Sequence, residues 1–264
     1  MKSLKIIKAV LLVIIIGCAI YVVDNVTEYK VAENEYRELQ EFMIVTEASE
    51  EETDKNNKTE PASSTKVNSA YKEKLEQLKS ENSGIIGWFS ITGTNISYPL
   101  MQAIDNEYYL KHTFKNKVNS SGSIFLDSAN DRYFSDCHSI IYGHNMKNRT
   151  MFGNIREYMK EEYFNSHKEI TIYREDCVDI YEVFSAYVSA IDDKGYSILN
   201  KEFLGTEENE SFVNELQTKS KFKTKTKLSG ESKVITLSTC TGDTSTRYIV
   251  HAVLIDSIKY GNEK

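Results

Sequence analysis

A cysteine, a histidine and an arginine stand in this chain where strand-forming sequence breaks off. The run Thr236-Leu237-Ser238-Thr239-Cys240 brings its cysteine to the end of a β-rich segment, and Arg247 opens the next one. Upstream, Tyr142-Gly143-His144 closes another β-rich run. A thiol with an ordinary pKa of about 8.5 is only a few per cent ionised at neutral pH, so a cysteine nucleophile needs an imidazole or a cation beside it. An imidazole moves protons on and off a reacting amine, whereas a guanidinium stays charged and can only donate or attract. Together the three fit acyl transfer: Cys240 attacks a carbonyl, His144 is acid and then base, and Arg247 donates to the carbonyl or developing oxyanion. A strand-end cysteine by itself is more often simply buried. The remaining histidines, His112, His138, His167 and His251, read as structural.

The elements that must position these residues are short and mostly β. Strand-like runs fall at residues 85–91, 96–101, 123–126, 139–142, 169–173, 178–188, 233–239 and 247–258. Eight strands at such spacings predict a closed β-barrel, in a mainly β (α+β) chain. Helical periodicity precedes the barrel at about 68–80, where Tyr71, Leu75 and Leu78 share a face, and recurs at 151–163 and 208–220. The last of these is a helical insert before the cysteine strand. Residues 68–264 are expected to form one catalytic domain.

Ahead of it, residues 6–23 are apolar apart from Lys8, with Lys2 and Lys5 alongside. That length can cross a hydrocarbon core, and the lysines would stay cytoplasmic, so residues 1–23 read as a single-pass membrane signal anchor with the catalytic domain extracellular. A cleaved signal peptide and a lipoprotein box at Ile15-Ile16-Gly17-Cys18 are the rivals; the first lacks a small-x-small cleavage site followed by a polar start, and the second does not explain why the apolar run continues to Val23. Residues 24–67 carry a stripe of Tyr29, Ala32, Tyr36, Leu39 and Met43, read as a juxtamembrane helix, and then a polar tract from Glu47 to Ser64, read as a disordered spacer. Cys137 and Cys177 are left to pair or to stay free. No Cys/His ligand spacing or acidic cluster suggests a metal, and no cofactor is expected. The formal net charge of -7 argues against a nucleic-acid partner. Lys219 to Lys227, with lysine at alternate positions, reads as a solvated edge or loop.

The order His, then T-L-S-T-C, then Arg resembles the sortase family of cell-surface transpeptidases. Gly87-Trp88-Phe89-Ser90-Ile91, Asn106-Glu107-Tyr108-Tyr109-Leu110 and Ser123-Ile124-Phe125-Leu126-Asp127 also resemble that family's barrel, and the helices before it are most like class B. The resemblance implies secreted protein partners with a C-terminal sorting signal, of Asn-Pro-x-Thr-Asn or Pro-x-Thr-Gly type. It implies cleavage after threonine through a thioacyl-enzyme, and transfer to a peptidoglycan amine. It also implies that Ser238, Tyr142, Asn106, Leu110 and Tyr196 line the substrate groove, with Asn106 and Leu110 on a short helical turn. A wall-associated cysteine peptidase and a pilin-polymerising sortase are the alternatives.

Overall fold

The sheet closes on itself. In this computed structural model, which describes residues 2–48, 62–191 and 205–260, eight strands form a closed barrel in the order β1-β2-β3-β4-β7-β8-β6-β5. They are β1 (Ile85–Ile91), β2 (Ser97–Met101), β3 (Ile124–Leu126), β4 (His138–Tyr142), β5 (Glu169–Tyr173), β6 (Cys177–Ala190), β7 (Val234–Cys240) and β8 (Thr246–Lys259). Two neighbouring pairs, β2 with β3 and β4 with β7, are parallel, and the rest are antiparallel. Strand alternation sends Ile141, Ile235, Leu237, Val250 and Ala252 to the large core, while Val234, Phe184 and Val253 face outward under a covering helix. That helix is the insert, Thr206–Lys219, which buries Phe212, Val213 and Leu216.

The N-terminal helices are part of this body. α1 (Lys2–Ala48) is continuous from the apolar run into the stripe, and Ala32, Tyr36, Leu39 and Met43 are buried in the same core as the barrel. The stripe is thus a packed face. α2 (Ala62–Glu81) starts six residues before the sequence periodicity suggests and stacks Tyr71 on Tyr173 of β5, ring centroids 4.0 Å apart. Most of the expected spacer lies outside the described residues.

Two local expectations need correction. Residues 151–163 do not form one helix: a 3-10 turn (Ile155–Met159) is followed by the short helix α3 (Glu161–Ser166), which makes the insert α4. Met151 has φ 52°, and a Cβ on Gly153 would stand 2.6 Å from the Met146 carbonyl, so the chain here turns too tightly for a helix start. Asn106 and Leu110 lie in a non-helical turn: the Asp105 carboxylate caps the backbone N–H groups of Glu107 and Tyr108 as at a helix start, but the chain closes after one turn with Lys111 N bonded to the Tyr108 carbonyl. Cys137 and Cys177 are both free, the first exposed and the second buried.

Candidate active site

Strand register, more than any single contact, assembles the site. Tyr142 of β4 pairs with Ser238 of β7 in a parallel ladder, so two residues further on His144 arrives level with Cys240. Across the antiparallel ladder Cys240 pairs directly with Arg247 of β8. Cysteine therefore lies between histidine and arginine on three adjacent strand ends, neighbouring strands being about 4.8 Å apart. All three are half-buried. Asn145 pins the alignment by donating from Nδ2 to the Cys240 carbonyl at 2.8 Å.

Gly143 permits the step from β4 to His144. A Cβ there would stand 2.4 Å from Ile124 Cδ1 and 2.8 Å from the Phe152 ring. His144 Nε2 lies 2.8 Å from the Leu110 carbonyl. A carbonyl can only accept, so Nε2 carries a proton and donates it to this bond, which leaves Nδ1 as the ring nitrogen not engaged by Leu110. Arg247 Nη1 donates to the carbonyls of Thr244 and Thr246, at 3.0 and 2.9 Å, which ties the guanidinium to the turn after Cys240.

The face leading to Cys240 has an apolar floor of Ile140, Tyr187 and Ile249 with Tyr142 against it. Ser238 is buried on this face, and among the described residues its Oγ has no hydrogen-bond partner. Tyr142 Oη donates to Asp127 Oδ2 at 2.8 Å, and Asn106 Nδ2 donates to the same oxygen at 3.0 Å. Of the groove residues expected from sequence, Ser238, Tyr142, Asn106 and Leu110 are thus drawn to one side of the barrel around His144 and Cys240, while Tyr196 lies outside the described residues. Sequence reasoning missed Asp127 and Asn145. Asp127 ends the barrel-like segment Ser123 to Asp127, and only the fold shows that it holds two groove side chains.

A candidate nucleophilic cysteine flanked on adjacent strands by an imidazole and a guanidinium, on the outer wall of a closed mixed barrel, defines a cysteine acyl-transfer enzyme. The Sortase domain family matches residues 90–255. Sortase B of Listeria monocytogenes is 36% identical over 184 residues, covering 69% of this chain and 73% of that relative. The X-ray structure of Clostridium perfringens sortase B superposes with a TM-score of 0.65 at 37% identity, over 69% of this chain and 99% of that one. A Staphylococcus aureus sortase B-substrate complex gives a TM-score of 0.73 at 26% identity, over 87% and 99%. The chain belongs to the sortase family of cysteine transpeptidases, as a class B sortase.

Proposed function

We propose that this enzyme is held in the cell membrane by α1, cleaves a C-terminal sorting signal after threonine, and joins the new threonine carboxyl to a peptidoglycan amine. The level placement of His144, Cys240 and Arg247 carries this reading. Cys240 passes its thiol proton to His144 Nδ1 as Sγ attacks the threonine carbonyl; the scissile C–N bond then breaks and the imidazolium hands that proton to the departing amine, leaving a thioester. The acceptor amine then attacks the thioester, loses a proton to His144 and expels the Cys240 thiolate. Arg247 donates to the carbonyl oxygen as negative charge builds on it.

The unpartnered Ser238 hydroxyl supports a peptide lying over this face, since a buried hydroxyl without a partner costs about 1–3 kcal/mol until a ligand group bonds it. Asn106, Leu110 and Tyr142 flank the same path, and Tyr196 is proposed as a further groove residue. Residues 7 and 10–16 of α1 are exposed and apolar, and this helix is long and apolar enough to cross a membrane. On this reading residues 1–23 anchor the chain with its N-terminus inside, and the barrel works outside.

The test is to incubate the full chain in detergent with peptides ending in Asn-Pro-x-Thr-Asn-like or Pro-x-Thr-Gly-like signals, with and without amine acceptors, and to weigh the products. Cleavage after threonine with an amine adduct is expected. Hydrolysed peptide alone, even at high acceptor concentration, would mean a wall-associated peptidase. No cleavage of either signal type would refute the substrate class.

A further inference from the structure

We infer that Tyr36, on the helix that leads out of the proposed anchor, is a positioning residue for His144, so that α1 belongs to the support of the active site. The inference rests on the reading of His144 as proton carrier. The imidazole is held by one main-chain carbonyl, that of Leu110, 2.8 Å from Nε2. A carbonyl in a non-helical turn is only as well placed as the chain around it, so what fixes residues 109 and 110 also aims the ring.

Gly122 and Ser123 brace that turn, and both meet Tyr36. Ser123 N donates to the Tyr109 carbonyl at 2.8 Å, and Ser123 Oγ donates to the His112 carbonyl at 2.8 Å. Gly122, with φ +54°, is pressed so close that a Cβ would stand 2.5 Å from the Tyr109 oxygen and 2.8 Å from the Leu110 oxygen. Tyr36 is 4% exposed; its Oη donates to the Gly122 carbonyl at 2.6 Å and lies 3.0 Å from Ser123 Oγ. The path from α1 to the catalytic face is therefore Tyr36, Gly122 and Ser123, Leu110, His144.

The preceding residue on α1 grips the far end of the same loop. Glu35, also 4% exposed, accepts from Lys115 N at 2.9 Å and has Lys117 Nζ at 3.9 Å. Burying a carboxylate is costly unless it is bonded, so this contact is specific to one seating of the helix on the loop. Two turns earlier, Glu28 accepts from Ser120 N at 2.6 Å. A helix seated this way leaves residues 106–123 little freedom, and a shift of about 1 Å at a catalytic group can lower a rate on the order of a hundredfold.

The test uses the full chain in detergent with 15N-labelled histidine, following kcat for peptide transfer together with the ring nitrogen signals of His144. Tyr36→Phe keeps the ring and its edge-on contact with Tyr98 but frees the Gly122 carbonyl. It is expected to lower kcat about tenfold and to shift the His144 Nε2 signal as its bond to the Leu110 carbonyl loosens. Ser123→Ala removes the next link without touching α1 and should do the same. Leu39→Ala, which only empties packing space on the same helix, should lower the unfolding temperature yet leave kcat and the ring signals at wild-type values. If Tyr36→Phe and Ser123→Ala change stability alone, the inference is overturned. If His144→Ala still turns over, it is the underlying reading of His144 that fails.

Discussion

Chemistry and packing separate at Cys240. The residue ends β7 half-buried, so Cys240→Ala removes one sulfur atom at a strand end and leaves a small void. The variant should unfold within a few degrees of wild type while losing both cleavage and transfer; measurable thioester formation or turnover by it would end the assignment. At Arg247 the charge and the fork can be told apart. Arg247→Lys keeps the charge but gathers its donors on one nitrogen, losing the planar fork in which Nη1 bonds the carbonyls of Thr244 and Thr246 while Nη2 and Nε stay available to a substrate. Loss of one oxyanion donor typically lowers kcat on the order of a hundred- to thousandfold, so the lysine variant should resemble Arg247→Ala in steady-state kinetics. Near-normal kcat for Arg247→Lys would reduce the arginine to a point charge supporting the thiolate.

Among the elements, α1 has the most to reveal. Ala32, Tyr36, Leu39 and Met43 lie in the main core, and Phe42 is covered by Lys74 of α2, whose Nζ donates to the Phe42 carbonyl at 2.8 Å. Burial of a large apolar side chain contributes about 1.5–3 kcal/mol, a large share of the roughly 5–15 kcal/mol that holds a typical domain. A chain beginning at Asp24 should therefore melt cooperatively near the full-length value. One beginning at Ala62 should melt well below it or aggregate. Equal melting temperatures in circular dichroism would mean that the helix only rests on the barrel. Asp127 makes a second case, because it organises the face without being on a catalytic strand end: Asp127→Asn weakens the bond from Tyr142 and should raise the KM for peptide more than it lowers kcat.

Across the whole molecule, one buried polar chain ties four strands together. His138 Nε2 lies 2.7 Å from Thr236 Oγ1, Thr236 Oγ1 lies 2.7 Å from His251 Nδ1, and His251 Nε2 lies 3.0 Å from Tyr187 Oη. Burial pushes His138 down from 6.5 to about 4 and His251 well below its ordinary value, so both rings are neutral in the fold at neutral pH. The unfolded chain takes up these protons first as pH falls below about 6.5. Stability is thus fully present above that pH and is lost progressively toward about pH 4, by about 3 kcal/mol for His138 on its own. Urea midpoints should fall between pH 7 and pH 4.5, and His138→Gln should flatten the slope. An unchanged slope in that variant would show that other groups govern the acid limb.

Much of this was legible in the sequence, for a physical reason. Alternation of side chains along a strand and the chemistry of thiol, imidazole and guanidinium are local, so the eight strands, the apolar run and the trio Cys240, His144 and Arg247 could be read residue by residue. The helix stripe 29–43 was equally visible, but a stripe says only that something covers it. That its cover is the barrel, with Tyr36 against Gly122, depends on contacts between residues 86 apart. Likewise nothing local marks Asp127, at the end of the run Ser123 to Asp127, until closure of the barrel brings Tyr142 and Asn106 to one of its oxygens. The tight turn at Met151 prevailed over helical periodicity because backbone crowding acts within a few residues, below the reach of an averaged pattern. The sequence by itself determined which strands form and which groups can react. Only the tertiary structure decided that β4 and β7 run parallel in the register that sets His144 level with Cys240, because register is fixed by the closure of the whole sheet and by no segment of it alone.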